Sequence, residues 1–188
     1  MNETKFDGMG KVYSKYRPSY PEEFIRYLYT DVGIDIYCAI ADIGSGAGLP
    51  GIPLAICMPH AEFTLVERMG RRAGFLRNAI AVLSLSNVIV EEKDLFELAC
   101  HLPETKRFDL AVFRAFKPLE PALLKGIFRL LKPGGTIAAY KGRRKSAEEE
   151  MAQLEKPGRE SLNREIIPLE VPFLNEERHL LLIKAPEQ

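Results

Sequence analysis

The chain has no tryptophan, only three cysteines and three histidines, and no net charge over its 188 residues. Cys38, Cys57 and Cys100 are odd in number, widely spaced and without a paired-ligand pattern. They read as reduced, mostly buried thiols rather than a disulfide framework. His60, His101 and His179 are as scattered, so no metal site is expected. No apolar run approaches the roughly 20 residues of a membrane span, and the polar opening Met1–Lys5 is no secretory signal. These absences point to a cytoplasmic protein that uses neither membrane nor metal. A zero net charge excludes a uniformly basic nucleic-acid-coating protein, though not a local patch. Charge is in fact clustered, at Arg68, Arg71, Arg72 and Arg77 and again at Lys141, Arg143, Arg144 and Lys145. The length suits one main folding unit with a full core.

What is present is a concentration of glycine. Ala39–Pro53 reads Ala-Ile-Ala-Asp-Ile-Gly-Ser-Gly-Ala-Gly-Leu-Pro-Gly-Ile-Pro. An apolar run ends at Asp42-Ile43, and Gly44, Gly46 and Gly48 alternate with small residues before a helix starting near Gly51 or Ile52. One glycine would suffice for a tight strand-to-helix turn. Three within five residues let a ligand approach the backbone, with helix-end N–H groups facing it.

Apolar runs then alternate with helical patterns. Strands are expected at Ala39–Ile43, Glu62–Glu67, Val88–Glu91, Phe108–Phe113 and Thr136–Tyr140. Helices are expected up to Met58, over Arg71–Leu83, Leu95–Cys100, Glu120–Leu131 and Ser146–Leu154, with Lys132-Pro-Gly-Gly as a turn. In the second helix Phe75, Leu76, Ala79, Ile80 and Leu83 form the expected core face. Such alternation implies a doubly wound parallel α/β sheet. Arg164–Val171 and Arg178–Lys184 read as strands joined by a loop too short for a helical crossover, hence an antiparallel hairpin.

Several side chains fall at strand ends, where such a sheet places its ligands. Glu67 lies 23 residues beyond Gly44, a spacing at which a carboxylate accepts from ribose hydroxyls; the plain alternative is an acid complementing the next helix dipole. Asp94 is placed to accept from an adenine amino group beside Leu95 and Phe96, to N-cap the following helix, or both. A dinucleotide site is the weaker reading, since the sixth position counted from Gly44 is Leu49 and the frame that does fit, Gly46 to Gly51, begins two residues late; no Gly-Lys-Ser/Thr phosphate loop occurs.

Asp42-Ile-Gly-Ser-Gly-Ala-Gly-Leu-Pro-Gly-Ile-Pro resembles the cofactor motif of the bacterial small-subunit (16S) ribosomal RNA guanine-N7 methyltransferases, the glucose-inhibited division protein B family. Phe63-Thr-Leu-Val-Glu, Arg71-Arg-Ala-Gly-Phe-Leu, Phe113-Arg-Ala-Phe, Tyr140-Lys-Gly and Glu177-Arg-His-Leu-Leu-Leu-Ile-Lys continue the likeness over about residues 39–185. The resemblance implies a class I, Rossmann-like methyltransferase of five parallel strands plus the C-terminal hairpin, using S-adenosylmethionine. It implies that Asp42, Gly44, Gly46, Gly48, Leu49, Glu67, Asp94, Leu95, Phe96 and Arg114 line the cofactor. Lys141, Arg143 and Arg144 would face 16S rRNA or the small ribosomal subunit, with Arg68, Arg71 and Arg72 as a second phosphate-holding cluster. Guanine N7 carries a lone pair and no proton, so positioning rather than a general base carries the reaction, and no catalytic residue is assigned. The protein is expected to act as a monomer.

Within residues 1–38, Phe6-Asp-Gly-Met-Gly-Lys-Val-Tyr-Ser-Lys-Tyr-Arg-Pro-Ser-Tyr-Pro instead resembles the opening of a different, broad methyltransferase group, many of whose members act on small molecules. The six tyrosines of residues 1–38, with Pro18 and Pro21 before a helix from Glu22 to Tyr29, suit either an edge-covering leader or a lid built on Tyr13, Tyr16 and Arg17. Residues 39–188 would form the cofactor domain. A small-molecule methyltransferase specified by that segment is the alternative function, and a binding domain without turnover a third.

Overall fold

At the centre of the sheet runs β1, Ala39–Ile43, whose last four residues are buried. Parallel strands covered on both faces need such continuous apolar runs, and this one admits a single charged residue, Asp42. A computed structural model of the chain describes residues 22–30, 32–155, 162–171 and 175–187. In chain order these form α1 (Glu22–Thr30), β1, α2 (Gly51–Cys57), β2 (Glu62–Val66), α3 (Gly70–Leu83), β3 (Val88–Glu91) and α4 (Leu95–His101). Then come β4 (Phe108–Arg114), α5 (Pro121–Leu130), β5 (Leu131–Lys141), α6 (Arg144–Leu154), β6 (Arg164–Pro168) and β7 (His179–Lys184).

The seven strands lie in the order β3-β2-β1-β4-β5-β7-β6. Strands β1 to β5 pair in parallel, whereas β7 pairs antiparallel with both β5 and β6. The expected five-plus-hairpin sheet is therefore present, with β7 inserted between β5 and β6. One face packs Leu95, Leu98, Ile127, Met151 and Leu154 from α4, α5 and α6 against Ile43, Phe113 and Ile137. The other packs Leu28, Leu54 and Leu76 from α1, α2 and α3 against Ile40, Phe63 and Leu110. The order of strands turns back between β1 and β4, and their C-terminal ends part there to leave the crevice in which doubly wound sheets bind ligands.

Several expectations are corrected. On α3, Ala73 and Leu76 are buried, whereas Phe75 and Leu83 are 54% and 47% exposed. Phe75 stands one residue, or about 100°, from Leu76 and so points away from the sheet. Strand β5 starts at Leu131 rather than Thr136, because Leu131 already pairs with Phe108 before the register slips to Leu110–Thr136. Lys132-Pro-Gly-Gly is thus an irregularity inside the strand, with Gly134 at φ +72°. Strand β6 ends at Pro168 rather than Val171, with one further backbone bond beyond it, from the Leu169 N–H to the Arg178 carbonyl at 2.8 Å. Of the three cysteines only Cys38 is buried; Cys57 and Cys100 lie exposed at the end of α2 and on the outer side of α4.

Candidate cofactor and substrate cleft

The glycine turn is braced from below by Asp42. Its Oδ2 accepts from the Ser45 hydroxyl at 2.5 Å and from the Gly51 N–H at 3.0 Å, tying the strand end to the start of α2. Its Oδ1 is buried without a partner among the described residues. Desolvation, the strongest cause, raises the carboxyl pKa to about 6 against the opposing Ser45 and Gly51 bonds. Gly44, Gly46 and Gly48 all hold positive φ, +67°, +57° and +84°. At Gly46 a side chain would meet only the Gly44 carbonyl oxygen, 3.7 Å away, so that flank of the turn lies open.

Glu67 follows β2 and reaches across to this turn. Oε2 accepts from the Gly46 N–H at 3.0 Å and Oε1 from the Met69 N–H at 2.9 Å. The side chain is 4% exposed and Arg72 stands 3.9 Å away. Each carboxylate oxygen keeps a second lone pair, the acceptor set that a ribose diol needs. Asp94, after β3, accepts from the Phe96 N–H at 2.9 Å and caps α4. Leu95 is buried in the core, and Phe96, 46% exposed, packs with it over Gly126 of α5. A side chain at 126 would come within 2.9 Å of the Phe96 ring.

The loop after β4 closes the crevice from the other side. Arg114 pairs with Tyr140 of β5, is exposed, and has no hydrogen bond or ion pair from its side chain among the described residues. Ala115 takes φ +50°, which turns the chain back over the glycine loop. The Phe116 ring then lies against the α-carbon of Gly44, where a methyl group would overlap it. Lys141, at the end of β5, places Nζ 2.7 Å from both oxygens of Glu150. Its ammonium is therefore engaged within the protein. Arg143 is exposed and without a partner among the described residues, and Arg144 bonds Glu148 at 2.8 Å. Arg68 and Arg71 are exposed beside Glu67 on the opposite rim, also without partners among the described residues. Leu49 is half-buried at the end of the turn.

Two residues at the site carried no role in the sequence reading. Glu150 is the last of three consecutive acids, Glu148 to Glu150, inside the helix expected over Ser146–Leu154. His179 pairs with Lys141 in the β5–β7 register, and its Nδ1 lies 2.8 Å from the Gly142 carbonyl oxygen. The only signal for it was its place in the Glu-Arg-His sequence. Tyr13, Tyr16 and Arg17, named for a lid, lie outside the described residues. No group of three potential metal ligands occurs among the described residues, and no helix there is long and apolar enough to cross a membrane.

A family model described as GidB, rRNA small subunit methyltransferase G, matches residues 28–181. The chain belongs to this family. The match starts within α1, so the likeness reaches further toward the N-terminus than the motifs alone indicated. A ribosomal RNA small subunit methyltransferase G of Treponema pallidum is 44% identical over 154 residues, covering 79% of this chain and 64% of that protein. The Treponema denticola relative of the same name is 40% identical over 152 residues, 78% of this chain and 57% of its own length. The chain thus spans less than two thirds of these relatives. One from Stenotrophomonas maltophilia is 39% identical over 170 residues, 88% of this chain and 76% of that protein. Among solved structures, a SAM-dependent methyltransferase from Aquifex aeolicus superposes with TM-score 0.67 at 19% identity over 94% of this chain and 97% of its own. A methyltransferase from Streptococcus mutans in complex with SAH gives TM-score 0.57 at 15% identity, over 86% of this chain and 96% of that one. These two speak for the class I methyltransferase fold of a GidB-family chain.

Proposed function

We propose that the chain transfers a methyl group from S-adenosylmethionine to N7 of a guanine in 16S rRNA, in the cytoplasm and as a monomer. One observation carries the cofactor part: the buried Glu67 carboxylate, bonded to the Gly46 N–H where β1 and β4 part, offers paired acceptors to a ribose diol. The rRNA methyltransferases among its relatives supply the substrate class.

The residues present fit such a nucleoside. Glu67 would hold the ribose, the open flank at Gly46 would admit it against the backbone, and the free acceptor of Asp94 would take an adenine amine beside Leu95 and Phe96. S-adenosylmethionine, when bound, supplies an electrophilic methyl group on a sulfonium. Since N7 has no proton to lose, the chain need only hold the base in line and exclude water. Arg114, exposed at the mouth, suits an anionic group of cofactor or RNA, while Arg143 and Arg144 on one rim and Arg68 and Arg71 on the other suit phosphates. Phe116 offers an aromatic surface beside the turn for an extruded base. Residues 39–188 act in this reading as the cofactor domain, preceded by a separate N-terminal segment over 1–38.

The test is methyl transfer from labelled S-adenosylmethionine to small-subunit rRNA lacking its own N7 methylation, with chain cleavage at 7-methylguanine to locate the product. Cleavage at one site, abolished in Arg114→Ala, is the expected result. Cofactor binding with no labelled RNA, free or in assembled subunits, would transfer the assignment to a small-molecule substrate.

A further inference from the structure

Glu150, like Glu67, is a carboxylate that ties two separate groups of the cleft together. It projects from α6, its side chain is 14% exposed, and it accepts from two groups. Lys141 Nζ lies 2.7 Å from each oxygen, and the Leu119 N–H donates to Oε1. Its neighbours on α6 are spent elsewhere: Glu148 on Arg144 and Glu149, 63% exposed, near Lys145. Leu119 ends the loop that begins with Arg114. Within that loop Ala115 holds φ +50°, a conformation unfavourable for a residue with a Cβ, so something outside must keep it. Two contacts can do so. The Phe116 ring packs on Phe113 with centroids 5.9 Å apart, and Lys141 Nζ stands 5.9 Å over the Phe113 ring. The other contact is the Glu150 carboxylate on Leu119.

We propose that Glu150 is a positioning residue: by binding Lys141 and the Leu119 amide together, it holds the loop that presents Arg114 and Phe116 to the glycine turn. Lys141 is then an internal strut rather than an RNA contact. The functional consequence rests on the reading of Arg114 and Phe116 as cleft residues, but the mechanical one does not.

Amide exchange and steady-state kinetics on the full chain separate the two. Glu150→Gln keeps an oxygen for Leu119 yet turns an amide donor on the Lys141 ammonium; Glu150→Ala removes both bonds. Exchange at residues 114–119 should accelerate about tenfold or more in the alanine variant and less in the glutamine variant, with β1 to β5 unchanged. The turnover number for rRNA should fall about tenfold in step, while the KM for S-adenosylmethionine rises by a smaller factor, because Glu67 keeps its bonds to the turn and only the Phe116 side of it is loosened. Glu150→Asp should recover part of both losses, and Glu149→Gln should match wild type. Wild-type exchange across 114–119 in the glutamine and alanine variants overturns the proposal. So does acceleration spread evenly over the whole chain, the mark of global destabilisation. If the alanine variant does not fold, the isosteric glutamine variant alone decides in the same way. Failure of the unaltered chain to methylate rRNA would instead defeat the proposed function, and the exchange result would still decide on Glu150.

Discussion

The Phe116 ring occupies the space beside the Gly44 α-carbon that a side chain would need. The glycine turn and the loop after β4 are thus fitted to each other, one without a Cβ and the other with an aromatic plate. Position 44 is doubly constrained, since its φ of +67° is itself unfavourable for any L-residue. Gly44→Ala should cost about 1–3 kcal/mol in chemical unfolding, and weaken S-adenosylhomocysteine binding in titration calorimetry. Gly74, on the solvent side of α3 with nothing within 4 Å of where a methyl group would stand, is the contrast. Gly74→Ala should stabilise by about 0.5–1 kcal/mol through helix propensity. Equal stability and binding in the Gly44 variant and wild type would mean that the two loops are not matched.

Glu67 gives the cleanest reading of the cofactor site. Its two oxygens already hold the Gly46 and Met69 N–H groups, so ribose hydroxyls would take the remaining lone pairs. Glu67→Gln replaces one acceptor by a donor that faces a backbone N–H. Affinity for S-adenosylhomocysteine should fall about ten- to a hundredfold, the range for a charged hydrogen-bond acceptor lost at a buried site. An unchanged dissociation constant would remove Glu67 from the ribose role and leave it as a brace of the turn.

Much of this arrangement is legible in the sequence, for a local reason. Strand ends, glycine spacing and the acid at position 67 are read along the chain, and parallel winding then brings the strand ends together whatever the side chains do. Glu150 and His179 escape because their partners are far in sequence: Leu119 lies 31 residues before Glu150, and Gly142 lies 37 before His179. Nothing in an acidic helical run distinguishes the one carboxylate that turns inward. Phe75 fails for the opposite reason, since apolar periodicity names a stripe about 100° wide and α3 buries only the Ala73–Leu76 side of it. Asn87, whose Nδ2 donates to the carbonyls of Ala55, Met58 and Ala61, is a further long-range clasp that no local pattern announces.

The cysteines should differ sharply in reactivity. Cys38 is 2% exposed. Burial first, and then the Asp109 carboxylate, push its thiol up to about 12. At pH 8 only about one molecule in ten thousand would carry its thiolate, the reactive form. Cys57 and Cys100 are exposed. A thiol-disulfide reagent at pH 8 should therefore titrate two groups in the native chain and a third only after unfolding. Three fast thiols would show that the N-terminal end of the central strand, beside Cys38, opens readily.

Asp42 makes stability depend on pH in the direction opposite to an ordinary surface carboxylate. Its pKa rises from 3.8 to about 6 on folding, chiefly by desolvation. The native state therefore binds a proton more tightly than the unfolded chain does. Between those two values the native state is the more protonated, so stability falls as pH rises. The contribution is complete below about pH 4 and lost above about pH 6, and a shift of about two pH units corresponds to about 3 kcal/mol. Asp42→Asn removes the titration while keeping an oxygen to accept from the Ser45 hydroxyl and the Gly51 N–H. The stability of wild type relative to this variant, from urea unfolding of the ligand-free proteins, should decline by up to about 3 kcal/mol between about pH 4 and pH 7. Other titrating groups cancel in that difference, apart from any coupling to Glu67, so the slope reports Asp42. A flat difference would mean that Asp42 stays ionised under the turn, and that its buried Oδ1 has a donor supplied by water.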